Sequence, residues 1–237
     1  MSLTTQFVCD REDEAFVLDN HFDVAVPVFF REIDGEVLYV ECYPQIEMLV
    51  RHHVEEYREE LFSDGSLHAL HSVLKPYLDK WGYQDDCHRM RRYEIYRASA
   101  AQSASPAPVL QGTRRLTEAD GEKNRTSQDI AYAVRSGSTV FGYEENGEIC
   151  SIAATHLDEN EGKAYAEVMV ETIPKARKRG LALSCLSALK SELAMRGQGI
   201  EYRCSVTNTA SRRTARRAGL TLVGRCYYYV LRYAGGK

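Results

Sequence analysis

A chain of 237 residues, 44% of them hydrophobic, has room for one domain or two and can bury a sizeable core. Its formal charge of −4, from 30 basic and 34 acidic side chains, argues against a general nucleic-acid or membrane-surface binder. The chain has no N-terminal apolar segment, no long apolar run, and seven scattered cysteines without a C-x-x-C pair. These features predict reduced thiols in a cytoplasmic protein and no membrane insertion.

The first 20 or so residues are mixed in pattern. Asp23 to Arg31 and Glu36 to Tyr43 are β-rich runs around Asp34-Gly35, which predicts a hairpin, with Pro27 at an edge or a bulge. Ile46, Leu49, Val50, Val54, Tyr57 and Leu61 have helical spacing over 46–62. Ser66 is the expected cap of a second helix, kinked at Pro76 and running to about Lys80, with Trp81, Gly82 and Tyr83 at its end. Arg91 to Arg97 reads as a strand. Ala98 to Pro108, ASAAQSASPAP, has no charge and no large apolar side chain, so it reads as a linker. It would separate an N-terminal α/β domain (1–97) from a C-terminal domain (109–237).

Beyond the linker, Val109 to Leu116 predicts a strand, Thr117 to Asp120 starts a polar helical region, and Asp129 to Val134 is a short helix. Ser138 to Tyr143 and Glu148 to His156 form a hairpin around Asn146-Gly147. Tyr165 to Thr172 is a Val-rich strand, and Leu181, Cys185, Leu186, Leu189 and Leu193 line one face of a long helix. A strand at Tyr202 to Val206, a helix at Ala210 to Ala218 stopped by Gly219, and strands from Leu220 to Tyr233 complete a mixed α/β sheet.

The chemistry concentrates at the strand–helix turn. Arg177, Lys178 and Arg179 precede Gly180, which lets a ligand approach the backbone, and the next helix starts with unpaired N–H groups. A diphosphate is the natural guest there. Elsewhere the signals are bland. His68 and His71 share a helix face without a carboxylate or cysteine set to complete a metal site, and Cys185 falls on the apolar face of its helix.

Thr172-Ile173-Pro174 followed by Arg177-Lys178-Arg179-Gly180-Leu181-Ala182 is an R-x-x-G-x-A pattern. Asn208-Thr209-Ala210-Ser211, a helix and Ala218-Gly219-Leu220 follow in the right order. Together they resemble the acyl-CoA-binding motifs of the GNAT superfamily of N-acyltransferases, over roughly the C-terminal half. The resemblance implies a mixed, mostly antiparallel central sheet flanked by helices. The N-terminal α/β domain is then either a degenerate copy of that fold or an unrelated cap that shapes the acceptor pocket.

The resemblance also implies acetyl-CoA as co-substrate and no metal. Backbone groups of Lys178, Arg179, Gly180, Leu181 and Ala182, beside Arg177, would hold the pyrophosphate. The pantetheine arm would run along Met169, Val170 and Thr172. Asn208 and Ser211 match positions near the pantetheine and the adenosine end, and Arg212, Arg213 and Arg216 would reach toward nucleotide phosphates. An amine of pKa about 10 must lose a proton before it attacks the thioester. Glu167, or Glu171 four residues on and on the same strand face, would take it. Ala215 stands where many members carry a tyrosine that protonates the thiolate. That leaves the thiolate to depart unaided, or Tyr228 or its neighbours Tyr227 and Tyr229 to substitute, although all three also read as core residues. The implied activity is acetyl transfer by direct attack of a primary amine on acetyl-CoA. The acceptor is a small molecule or peptide, a homodimer is compatible, and nucleic acid and membrane are not partners. The competing reading is a non-catalytic CoA-binding or regulatory module.

Overall fold

Asp34 and Gly35 both adopt positive φ, 55° and 68°, in the turn between two strands that pair as far as Ile33 and Val37. The computed structural model describes residues 4–8, 24–35, 37–80, 88–104, 109–156 and 164–232. The chain forms two units, one of residues 1–93 with 224–237 and the other of residues 94–223.

In the first unit, β1 (Thr4–Val8) runs parallel to β3 (Val37–Cys42), which pairs antiparallel with β2 (Val24–Ile33). The far side of β2 pairs with β10 (Thr221–Arg232), so β2 is not an edge strand. Tyr229 pairs with Val28 and Leu231 with Ala25, leaving Val26 and Pro27 opposite Val230 alone. Pro27 therefore sits in a bulge, where its missing N–H costs no ladder bond.

The first helix, α1 (Glu47–Glu56), stops before residue 62, and α2 (Asp64–Lys80) begins earlier than Ser66. The Ser63 hydroxyl, not that of Ser66, accepts an N–H of the first turn, from Ser66 at 3.1 Å. Ser66 is buried and its hydroxyl donates to the Leu61 carbonyl at 3.0 Å. It accepts from Nε2–H of His53 at 2.9 Å, so the buried imidazole is the neutral Nε2–H tautomer. Trp81 to Tyr83 lie outside the described residues.

The second unit holds β5 (Thr113–Arg115), β6 (Val140–Glu145), β7 (Glu148–Thr155), β8 (Tyr165–Thr172) and β9 (Gly199–Ser205), with β4 (His88–Ala98) beside β9. Pairing is antiparallel from β5 to β8 and parallel between β8 and β9. One sheet face packs under α4 (Leu181–Met195) and α5 (Thr209–Arg217). That core joins Ala153, Val168, Ile200 and Tyr202 to Leu186, Leu189, Leu193 and Ala215. Each fully buried leucine contributes roughly 1.5–3 kcal/mol. The opposite face, with Ile152, Ala154 and half-buried Met169, packs on Ile130 of α3 (Ile130–Arg135). The buried Lys190 ammonium donates to the Ala218 carbonyl at 2.7 Å, which ties α4 to the C-terminus of α5. All five described cysteines are buried.

The boundary and the linker differ from the sequence expectation. The units divide between Tyr93 and Glu94, inside β4, and the chain rejoins the first unit at Gly224, inside β10. Ser99 to Ala104 forms a hydrogen-bonded turn, with Ser103 N–H and hydroxyl both donating to the Ser99 carbonyl and Ser103 buried. Composition registers the lack of large apolar side chains there but not this local bonding; residues 105–108 lie outside the description. The predicted strand 109–116 is also shorter, and Glu118–Lys123 is a 3-10 helix with Thr117 and Asp120 as a capping box.

Arg114 clamps this region. Its guanidinium donates to Asp120 at 2.5 and 3.0 Å and to Glu144 at 2.6 and 3.0 Å. Those hydrogen bonds hold the Asp120 carboxyl well below the usual range even though its side chain is nearly buried. Arg114→Ala leaves Asp120 charged and uncompensated. The expected cost is about 2–3 kcal/mol, below the fully buried case because Arg114 is itself partly exposed, and a urea melt at pH 7 measures it.

Candidate active site

Strand β8 carries two features that the rest of the unit arranges itself around. The first is where its pairing ends. The parallel register runs Tyr165↔Gly199, Ala166↔Ile200, Glu167↔Glu201 and Val168↔Tyr202, and then stops. Both strands continue, β8 to Thr172 and β9 to Ser205, without a ladder between them. On its other side β8 stays paired with β7 as far as Thr172. Beyond that rung the β8 backbone edge at Val170 and Thr172 faces away from β7 without a strand partner, with the Thr172 carbonyl accepting from Arg177, while the Met169 backbone faces β7.

The second feature is the turn that β8 feeds. Pro174–Ala176 makes a short 3-10 turn, then Lys178 and Gly180 take positive φ of 64° and 83°. Gly180 is the N-cap of α4 and offers no side-chain cap, and the first bond of the helix is Ser184 N–H to the Gly180 carbonyl. The N–H groups of Leu181, Ala182 and Leu183 thus have no intrahelical acceptor. The Leu181 side chain itself is buried with Cys150, Ile173 and Ala176. Neighbouring cations are partly committed: Arg179 pairs with Glu145 at 2.5 and 2.8 Å, Lys175 with Glu148 at 3.2 Å, and Arg177 Nε donates to the Thr172 carbonyl at 3.1 Å. These contacts brace the turn. Lys178 is exposed within it.

Helix α5 brings the second motif to the same sheet face. The Asn208 side chain caps it, accepting from Ser211 N–H at 3.1 Å, so Asn208 shapes the first turn. Arg212 is not presented to a ligand as expected. Its Nε and Nη2 grip Glu94 at 2.6 and 2.7 Å. Burial alone would raise the Glu94 carboxyl, but hydrogen bonds from Arg212 and Tyr96 hold it below its ordinary range. Arg213, Arg216 and Arg217, all exposed, surround an open hollow of about 390 Å³ with Thr209 and Arg212.

Glu167 and Glu171 do share a face, the one opposite α4, but their settings differ. The Glu171 oxygens accept from Ser127 N–H at 2.9 Å and Ser127 hydroxyl at 2.7 Å, tying β8 to the segment before α3. That is a fastening role. The Glu167 carboxylate accepts from Arg203 Nη2 at 2.6 Å, one residue before the ladder ends. Arg203 Nε is held at 2.9 Å by Glu201, whose nearly buried carboxylate also binds Arg97 at 2.6 Å. Two carboxylates side by side across a strand pair would repel, and the two arginines neutralise them. Sequence reasoning missed Glu201 and Arg203. The alternation in Glu201-Tyr202-Arg203-Cys204 was the available signal, since it puts the two charged side chains on one face and Tyr202 and Cys204 on the other.

Tyr202 lies on the α4–α5 face at the last rung of the ladder and is buried beside Ala215. Tyr228 belongs to the first unit, where its ring packs on Phe29 at 4.6 Å and on Tyr93 at 5.5 Å. Tyr227 and Tyr229 are fully buried there, Tyr229 with its hydroxyl 2.5 Å from His71 Nδ1. Among the described residues no group of three or more His, Cys, Asp or Glu is placed to hold a metal ion, and no helix is long and apolar enough to cross a membrane.

No protein-family model matches the chain, and no curated protein matches it in sequence. Solved structures do. A GNAT-family acetyltransferase from Colwellia psychrerythraea is 13% identical and aligns over 67% of this chain and 61% of its own, with a TM-score of 0.49. A GCN5-related N-acetyltransferase from Sphaerobacter thermophilus, 15% identical, aligns over 93% of this chain and 84% of its own at a TM-score of 0.49. A Drosophila protein, 17% identical, aligns over 69% of this chain and 58% of its own at a TM-score of 0.51. The chain spans less than two-thirds of the length of the Colwellia and Drosophila proteins. At such identities the likeness is one of fold.

Proposed function

We propose that this chain is a GNAT-like N-acyltransferase that binds acetyl-CoA along β8 and passes the acetyl group to a primary amine. The observation that carries this reading is continuity. The four residues after the last rung, Met169 to Thr172, lead directly into the uncapped α4 turn at Gly180. One extended molecule with an amide-bearing arm and a diphosphate fits both features at once, and coenzyme A has that layout. The arm would bond the unpaired β8 edge, and the diphosphate would accept from the N–H groups at 181–183 beside Lys178. Glu167, fixed by Arg203 on the opposite face, would take the proton that the amine must shed. The acceptor is a small molecule or peptide amine, and the protein is cytoplasmic on this reading.

A thermal-shift series with acetyl-CoA, CoA and ATP is the first test. Absence of any shift with both CoA compounds would remove the proposal. With binding established, thiol release from acetyl-CoA over an amine panel tests turnover. Glu167→Gln should then lower kcat by about 100-fold or more while acetyl-CoA affinity stays unchanged. A second reading, a CoA-binding or regulatory module without turnover, draws support from Ala215, which is fully buried and brings no acid to the thiol. Binding of CoA with no thiol release on any amine would favour it.

A further inference from the structure

We infer that Arg203, held from behind by Glu201, is the positioning residue that aims the Glu167 carboxylate at the amine proton. The inference rests on the acyltransfer reading and deepens it by naming what fixes the base. Glu167 and Glu201 are register partners on the next-to-last rung between β8 and β9, and Arg203 is the first residue of β9 beyond the ladder. Its guanidinium reaches back across the last rung, with Nη2 2.6 Å from Glu167 Oε2 and Nε 2.9 Å from Glu201 Oε1. The other Glu201 oxygen accepts from Arg97 Nε at 2.8 Å and Nη2 at 2.6 Å. Arg97 lies in turn over the Tyr165 ring, 4.5 Å from its centroid, two residues before Glu167 on the same strand face.

An ordinary surface ion pair sets little geometry, because its two long side chains move together at small cost. Arg203 is held differently. Arg179 and Arg212 each give two nitrogens to a single carboxylate, Glu145 and Glu94. Arg203 divides Nε and Nη2 between carboxylates on two strands, so its planar fork is fixed by Glu201 independently of Glu167. The Glu201 side chain is 4% exposed, against 21% for Arg203 and 23% for Glu167. The contacts therefore run from a buried anchor to a carboxylate open to a substrate. Glu171, on the same face, is tied to Ser127 instead.

In the step itself, the amine nitrogen bonds to the thioester carbonyl carbon and its proton passes to Glu167. The C–S bond breaks with its electron pair going to sulfur, the thiolate takes a proton from water, and Glu167 returns its own to solvent. Arg203 exchanges no proton here. It keeps the accepting carboxylate in one place, and a loosened base loses rate rather than donor affinity.

Arg203→Met keeps an apolar stem and removes the fork. With the best amine of the panel, it should lower kcat about 10- to 100-fold and leave KM for acetyl-CoA within about two-fold. Arg203→Lys restores the charge without the fork and should recover only part of that loss. Glu201→Gln, which loosens Arg203 without altering Glu167, should act in the same direction with a smaller effect. The deciding measurement is made in the Glu167→Gln background. There Arg203→Met should lower kcat by less than about two-fold more, since no base is left to aim, whereas a merely structural arginine would cost the same in both backgrounds. If Arg203→Met fails to fold, Arg203→Lys carries the same cycle. Wild-type kcat in the Arg203 variants or in Glu167→Gln, or losses that multiply in the double variant, would overturn the inference while leaving acyltransfer intact. A wild-type protein that binds no CoA, or releases no thiol with any amine, would instead overturn the acyltransfer reading and this inference with it.

Discussion

Gly180→Val should raise the Kd for acetyl-CoA at least 100-fold and abolish its thermal shift, with only a modest loss of stability. Two effects combine. At φ 83° a non-glycine residue is strained by about 1–2 kcal/mol, more so when β-branched, so the turn that aims the α4 N–H groups would relax away from its geometry. The added side chain would also project into the space a diphosphate needs. No atom lies within 4 Å of a Cβ built at this position, so the protein does not fill that space itself. For the same reason the fold should survive. Gly180→Ala should fall between wild type and Gly180→Val, since it carries the strain with less bulk. Calorimetric titration with acetyl-CoA, alongside a melt without ligand, separates lost binding from lost folding. Equal affinity in Gly180→Val would mean that the anion site lies elsewhere.

Acidification should destabilise the first unit by about 3 kcal/mol between pH 6.5 and 4. Burial, helped by the neighbouring His52, lowers the His53 pKa from 6.5 to about 4. Above pH 6.5 both folded and unfolded chains carry a neutral imidazole, and His53 adds no pH dependence. As pH falls through 6.5 the unfolded chain takes up a proton that the folded chain refuses until about pH 4. Stability is lost across that window, at about 1.4 kcal/mol per unit of difference. The structural cause is clear: Nε2–H is committed to Ser66, the ring stacks on Tyr57 at 4.7 Å, and the residue is only 2% exposed. Urea melts at pH 7 and pH 4.5 should show the loss, and His53→Gln should flatten it. A wild-type slope no steeper than that of His53→Gln would show that His53 is not the responsible group.

Local chemistry was well read from the sequence. Asp34-Gly35 and Asn146-Gly147 both turn hairpins at positive φ, a conformation that these residues tolerate better than most. The 3-to-4 spacing of Leu181, Cys185, Leu186, Leu189 and Leu193 buries all five side chains against the sheet. Helix caps were less legible. Ser63 and Ser66 lie three residues apart at one helix start, and only the path of the preceding turn decides that Ser66 turns inward to His53.

By itself the sequence determined the strand–turn–helix at Gly180 and the capped turn at Asn208, since glycine, asparagine and apolar spacing act over a few neighbouring residues. Tertiary structure alone decided what each charged side chain does. Glu167 and Glu171 are alike in sequence, yet one meets Arg203 and the other Ser127, 44 residues away in the chain. Arg212 had the look of a phosphate ligand until Glu94, 118 residues distant, took its guanidinium. Ion pairs and buried hydroxyls are set by partners that only the pairing of strands brings within reach, and the site is made of such partners.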